Sequence, residues 1–317
     1  MLRTIVFSAL APTAALLALL FGIIAFGGPS APPPLDHIGA RFEVVDFSAL
    51  PASQTYTARD GEALAYRAYP GDPARVVLAL HGSGGSGTAL HPLAAALSEA
   101  GPTVIVPDIR GHGASGRRGD VDYAGQVSDD IDDLRAVLAA ERPGAHLTLL
   151  GFSMGGGLAL REAARAPADR VILLSPYLAH DAPPMAAENP FAPETVWAQP
   201  GVPRLIGLTI LNGLGVHALD HLTVVRLATR PEDAAAVATS YTQRLLTSVN
   251  PVDWQADFAV LPAPPILFVG AEDELHHAPA YAAAAPGADI RVLPGVDHMG
   301  LTLDEAAIAA IVAEAVK

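Results

Sequence analysis

The chain has 317 residues, about half of them hydrophobic, a formal net charge of −14 and no cysteine. That length and apolar content suffice for one large α/β core or two smaller ones. The acidic balance argues against a nucleic-acid surface, and the missing thiols exclude disulfides, thiolate catalysis and cysteine metal sites.

Arg3 is followed by a run from Thr4 to Leu35 without a charged side chain. Residues 5–26 are long enough to cross a bilayer as a helix, which takes about 20 residues. The run also exceeds the ~7–15 residues of a secretory h-region. Residues 1–28 therefore read as a membrane anchor or signal segment, with Ala25-Phe26-Gly27 as the cleavage site in the second case. Either way Arg3 keeps the amino terminus cytoplasmic and the remainder is exported. The folded domain is expected to be membrane-anchored on the extracytoplasmic side, or secreted or periplasmic if the segment is cleaved.

Residues 29–40, with Pro29, Pro32, Pro33 and Pro34, read as a stiff linker. The domain, 41–317, then opens with strand-like runs. One is 42–47, and 55–69 reads as a hairpin turning at Asp60-Gly61.

From Arg75 onward strands and helices alternate. Apolar strands are expected at 76–80, 103–106, 147–150, 171–174, 266–269 and 290–293, and Ala- and Leu-rich helices at 90–100, 127–140, 158–166 and 303–316. Continuous apolar strands with helical crossovers predict an α/β fold, a mostly parallel sheet covered on both faces. The helix after Ser128 starts with Asp129, Asp130, Asp132 and Asp133. Acids in a first turn ordinarily offset the helix dipole, so no metal site is expected there. No His-Glu-x-x-His motif occurs among the histidines. Residues 177–258 interrupt the alternation, first with Pro183, Pro184, Pro190, Pro193, Pro200 and Pro203, then with an apolar helical run over 205–219. So long an insertion between strands predicts a helical cap.

The chemistry gathers at the carboxyl ends of the strands. Leu147-Thr148-Leu149-Leu150-Gly151-Phe152-Ser153-Met154-Gly155 is a buried strand that breaks into a helix through Gly-x-Ser-x-Gly. Such a turn holds a serine hydroxyl out above the sheet. Asp273 follows the penultimate strand, between Glu272 and Glu274, and His298 follows the last. A serine hydroxyl is a weak nucleophile that needs an imidazole to take its proton, and the imidazole needs a carboxylate to fix its tautomer. The order Ser153, Asp273, His298 suits that arrangement. Glu272 and Glu274 remain alternatives for the acid. The backbone N–H groups of Ser83 and Met154 are the candidates for holding an oxyanion.

Two other readings exist. Gly82-Ser83-Gly84-Gly85-Ser86-Gly87 is also Gly-x-Gly-x-x-Gly after a strand, with Asp108 ending the next strand, as in a dinucleotide-binding oxidoreductase. That reading leaves Ser153, Asp273 and His298 without a role. The same fold also serves as a non-catalytic binding scaffold.

The residues His81-Gly82, Asp108-Ile109-Arg110-Gly111-His112-Gly113-Ala114-Ser115, Gly151-Phe152-Ser153-Met154-Gly155, Asp273 and His298 carry a family resemblance. Over about residues 55–317 the sequence resembles the α/β-hydrolase superfamily, nearest the branch of monoacylglycerol lipases, lysophospholipases and serine aminopeptidase-like hydrolases. The resemblance implies a cap insertion matching 177–258 and a structural, non-catalytic role for Asp108. It implies a serine hydrolase acting through an acyl-enzyme, with a triad that esterases, lipases, thioesterases and peptidases share. The apolar content of the cap favours an acyl or lipid-like ester, and no cofactor or metal is expected. Serine at the elbow separates the chain from epoxide hydrolases and haloalkane dehalogenases, which place aspartate there.

Overall fold

The computed structural model describes residues 2–185 and 196–317, with side chains from Ala14 onward. Pro190 and Pro193, in the proline-rich start of the insertion, lie outside the described residues, as do the side chains of Arg3 and the first part of the 5–26 run. Helix α1 spans Leu2–Phe26 and α2 spans Asp36–Ala40. Among the described residues no helix is long and apolar enough to cross a membrane.

Strands β1 (Gln54–Thr57) and β2 (Ala63–Tyr69) form the antiparallel hairpin expected around Asp60-Gly61. The alternation follows: β3 (Asp72–Leu80), α3 (His91–Glu99), β4 (Pro102–Pro107), α4 (Gln126–Glu141), β5 (His146–Phe152), α5 (Met154–Arg165) and β6 (Arg170–Leu174). After the insertion come β10 (Ile266–Gly270), α9 (Tyr281–Ala284), β11 (Asp289–Leu293), α10 (Gly300–Leu303) and α11 (Glu305–Ala315). The insertion itself holds β7 (Ala198–Pro200), α6 (Val202–Gly213), β8 (Thr223–Leu227), β9 (Ser240–Thr242), α7 (Gln243–Val249) and α8 (Trp254–Val260).

The main sheet has eight strands in the order β1-β2-β4-β3-β5-β6-β10-β11. It is parallel from β4 to β11, and β2 pairs antiparallel with both β1 and β4. Period-two side-chain alternation fills both faces. Val76, Leu78 and Leu80 of β3 join the cluster that includes α4 and α5, while Val77 and Ala79 join the cluster that includes α3 and α11. An uninterrupted apolar run is what a strand buried on both faces requires.

Three expectations are corrected. Residues 42–47 are not a strand: α2 passes into turns there, and no neighbouring strand pairs with the segment. The segment read as a linker is not a free spacer, since Leu35 and Ile38 are buried against the domain. The cap is not wholly helical, because β7, β8 and β9 form a small antiparallel sheet within it, and α6 stops at Gly213.

The acidic start of α4 is structural. Asp130 is buried and takes a two-pronged hydrogen bond from Arg110 at 2.8 Å to each oxygen, and Arg59 pairs with Asp129 and Asp133. Burial, aided by the nearby Asp60 and Asp133 charges, outweighs the pull of Arg110, so the Asp130 carboxyl sits above its ordinary value.

Candidate active site

The strand β5 ends at Phe152, and α5 begins at Met154. The residue between them, Ser153, has φ 55° and ψ −119°, a conformation disfavoured for a residue with a Cβ. Glycine on either side makes the turn feasible. A Cβ at Gly155 would lie 2.3 Å from the Leu80 carbonyl oxygen, and one at Gly151 would lie 2.1 Å from the Gly155 oxygen. The turn is fastened by the Ser153 N–H to Leu174 O (2.9 Å) and by the Tyr177 N–H to Ser153 O (2.9 Å).

Asp273 and His298 sit on the loops after β10 and β11. His298 Nδ1 lies 2.9 Å from Asp273 Oδ2 with both side chains buried. The same carboxylate accepts from the Leu275 and His276 N–H groups at 2.9 and 2.8 Å through Oδ1. Glu272 is exposed, and Glu274 uses one oxygen to accept the His298 backbone N–H at 3.0 Å, so Asp273 alone of the three faces the ring. Burial works against the charged form of Asp273, but His298 and the surrounding donors hold its carboxyl far below the usual range. Burial likewise opposes protonation of His298, yet the Asp273 charge raises its pKa above the ordinary imidazole value. The His298 ring stacks 4.8 Å from Phe152, centroid to centroid.

Ser153 and His298 line one cavity of about 380 Å³, together with Ser83, Phe152, Trp197 and Met299. That volume is within the range of small-molecule sites. Ser83 belongs to the glycine-rich loop after β3. Met154 opens α5, where a backbone N–H has no partner inside the helix. The structure thus brings Ser153, His298 and Ser83 to one cavity and sets Asp273 behind His298.

Several contributors were not foreseen. Ser175, just after β6 and also at positive φ (38°), donates its hydroxyl to Asp273 Oδ2 at 2.6 Å. From the cap, Trp197 Nε1 donates to Ser83 Oγ at 2.7 Å, and the Tyr241 hydroxyl accepts the Gly84 N–H at 2.7 Å. Tyr241 also contacts His112 Nε2 at 2.7 Å, so one cap hydroxyl holds both the glycine-rich loop and the 108–115 segment. A serine after a strand end is a sequence signal that could have flagged Ser175. The cap residues carry none.

The dinucleotide reading finds no acceptor. Asp108 Oδ1 takes the Gly87 N–H at 2.8 Å and Oδ2 the Ala114 N–H at 2.9 Å, so the carboxylate ties two loops together. The histidines contain one His-x-x-x-His spacing, His217 and His221. It lies beyond the end of α6, where the two residues share no helix face, and each ring is already engaged, with Asp220 and with Ala218 O. Asp273, His276 and His298 are the one group of three metal-type ligands among the described residues, and Asp273 and His298 there bond each other.

Residues 71–299 match the family model described as serine aminopeptidase, S33. An uncharacterized protein of Mycobacterium tuberculosis is 29% identical over 248 residues, covering 70% of this chain and 69% of that protein. Among solved structures, a soluble variant of monoglyceride lipase from Saccharomyces cerevisiae superposes with a TM-score of 0.61 at 18% identity, over 84% of this chain and 94% of that one. A membrane phospholipase A, described as a bacterial virulence factor, does so at 0.57 and 18% identity over 99% of both chains. At these identities the structural likeness speaks to fold.

Proposed function

The chain belongs to the serine aminopeptidase (S33) family of α/β-hydrolases, and from that premise we propose that it is a serine hydrolase of carboxylic esters with acyl or lipid-like chains. The observation that carries this reading is His298 Nδ1 at 2.9 Å from a buried Asp273, with His298 and Ser153 on the wall of one largely apolar cavity.

In this reading Ser153 Oγ attacks the ester carbonyl while His298 Nε2 takes its proton. Asp273 holds the imidazole in the tautomer that leaves Nε2 free and stabilises the imidazolium. The Ser83 and Met154 N–H groups receive the developing oxyanion, at about 3–4 kcal/mol for each such donor. His298 then protonates the departing alkoxide. Water, deprotonated by the same imidazole, releases the acyl group from Ser153.

The cavity lining supports an ester over an amino-terminal peptide. An aminopeptidase has to neutralise a substrate ammonium with a carboxylate. Glu43 and Asp233, the two acids that line the cavity, both pair with Arg230, at 2.5 and 2.7 Å. The remaining lining is mainly aliphatic and aromatic, suited to an acyl chain.

A membrane location is part of the proposal. α1 docks on α6 of the cap: Ile24 is buried against Gly207, and Arg204 donates to the Ile24 and Ala25 carbonyls at 2.7 and 3.0 Å. Leu16, Leu17, Leu19 and Phe21 of α1, Ile206 and Ile210 of α6, and Leu214 just past its end are exposed apolar side chains. Such a surface fits acyl chains of a bilayer, with the domain on the extracytoplasmic side.

Hydrolysis of p-nitrophenyl esters, together with fluorophosphonate labelling of Ser153, tests the reading. Absence of hydrolysis for every acyl length, or labelling at another residue, would overturn it.

A further inference from the structure

We propose that Leu35, Ile38, Phe42 and Phe47, carried on the strap between α1 and β1 (residues 35–47), form one wall of the acyl site and set the acyl length that the enzyme prefers. This rests on the ester-hydrolase reading above. Leu35, Ile38, Phe42 and Phe47 line the same cavity as Ser153 and His298. Leu35 and Ile38 are buried, and Phe42 packs on the cluster that holds Phe152 and Met299, the neighbours in sequence of Ser153 and His298. The family-matched segment begins only at residue 71, so this wall is supplied by chain outside it.

The strap is fastened on both sides of the site. Toward the cap, the Leu35 N–H donates to Ala228 O at 3.0 Å and Arg230 donates to Glu43 at 2.5 Å. Toward the catalytic loops, Arg41 donates to Asp304 at 2.7 Å and to Asp297, the residue before His298, at 3.3 Å. His37 Nε2 lies 3.3 Å from Glu274 Oε1, and the other oxygen of Glu274 accepts the His298 N–H. A wall held to the cap and to the loops bearing Asp273 and His298 keeps a fixed distance from the reacting carbon. The side chains it presents to the cavity therefore decide how many methylenes fit. Each buried methylene strengthens binding about fourfold, so a strap side chain that takes the room of two or three methylenes discriminates by tenfold or more.

The test uses the full chain in detergent and compares kcat/KM for p-nitrophenyl octanoate with that for the butyrate. Ile38→Trp fills the cavity and is expected to lower the octanoate-to-butyrate ratio about tenfold. Phe42→Ala opens it and is expected to raise the ratio and move the optimum to longer chains. Val44→Trp changes the same strap on its solvent side and is expected to leave the ratio at the wild-type value. Because the ratio is internal to each protein, partial unfolding cancels; if Ile38→Trp does not fold, Phe42→Ala decides. An active wild type with ratios unmoved by Ile38→Trp and Phe42→Ala overturns the strap alone. A shift as large in Val44→Trp overturns it too. A wild type that cleaves neither ester takes the hydrolase reading and the strap down together.

Discussion

Ser175 Oγ and His298 Nδ1 meet the same oxygen of Asp273, at 2.6 and 2.9 Å. A carboxylate that must stay ionised while buried needs several donors, and Ser175 supplies one from just past the end of β6, the strand next to β10. Ser175→Ala leaves three of these donors in place, so we expect a loss in kcat of about 10-fold, the scale of one hydrogen bond to a charged group. A loss as deep as that of a substitution at Asp273 itself, measured by steady-state kinetics on a folded protein, would contradict this support role.

Asp273→Asn removes the charge that orients and stabilises the His298 ring. The expected fall in kcat is several orders of magnitude, about 10⁴ in the well-characterised serine protease case. Glu272→Gln, at an exposed residue, is expected to stay within about threefold of wild type, since it removes no contact to the ring. Glu274→Gln keeps an oxygen for the His298 N–H and is expected to be far milder than the Asp273 change. Kinetics that place either glutamate variant beside Asp273→Asn would move the acid.

Much of this was legible in the chain. Strands β3, β4, β5, β6 and β10 announce themselves because burial on both faces demands apolar runs, and Ser153, Asp273 and His298 fall where strands end. Residues 42–47 misled because Phe-Glu-Val-Val-Asp-Phe is rich in the β-branched and aromatic residues that strands favour, while pairing depends on a neighbour that local sequence does not reveal. Trp197 and Tyr241 act on the Ser83-Gly84 loop across more than 110 residues of chain, through contacts that only the folded cap creates.

Ser153 is expected to separate stability from activity. Its φ of 55° is a cost of about 1–3 kcal/mol that function imposes on the fold. Ser153→Gly relieves it, so the variant should lose ester hydrolysis and fluorophosphonate labelling while its Tm rises by about 2–4 °C per kcal/mol recovered. Calorimetry that finds the glycine variant less stable than wild type would contradict the strain argument.

The charge around His298 sets the direction of the pH profile. Burial alone would favour the neutral ring, but Asp273, with Glu274 and Asp297 nearby, raises the pKa above the ordinary value of 6.5. The base must be unprotonated, so kcat/KM is expected to fall as pH drops through this raised value. Asp273→Asn removes the largest of these charges, so its residual activity should show an acidic limb at lower pH than wild type. A wild-type limb centred below the ordinary imidazole range, or one that moves upward in the variant, would refute the assignment.

The end of α1 bears on whether the amino-terminal segment stays attached. The last carbonyls of a helix need donors, and Arg204 provides them to Ile24 and Ala25 while a third contact reaches Thr223 O at 2.7 Å. Cleavage after Gly27 would remove Ile24 from its place against Gly207 and strip the Arg204 guanidinium of two acceptors. The cap would then expose the apolar surface of α6 that Ile24 covers. We therefore expect the full chain to sediment with membranes, to need detergent for release, and to be digested by protease added to the outer side of intact spheroplasts. Arg204→Ala should loosen α1 from α6 and make residues 14–30 more accessible to limited proteolysis, with the membrane fraction unchanged. A soluble exported product beginning near Gly28 would establish cleavage and defeat the anchor. A domain protected from external protease would place it on the cytoplasmic side and overturn the proposed topology.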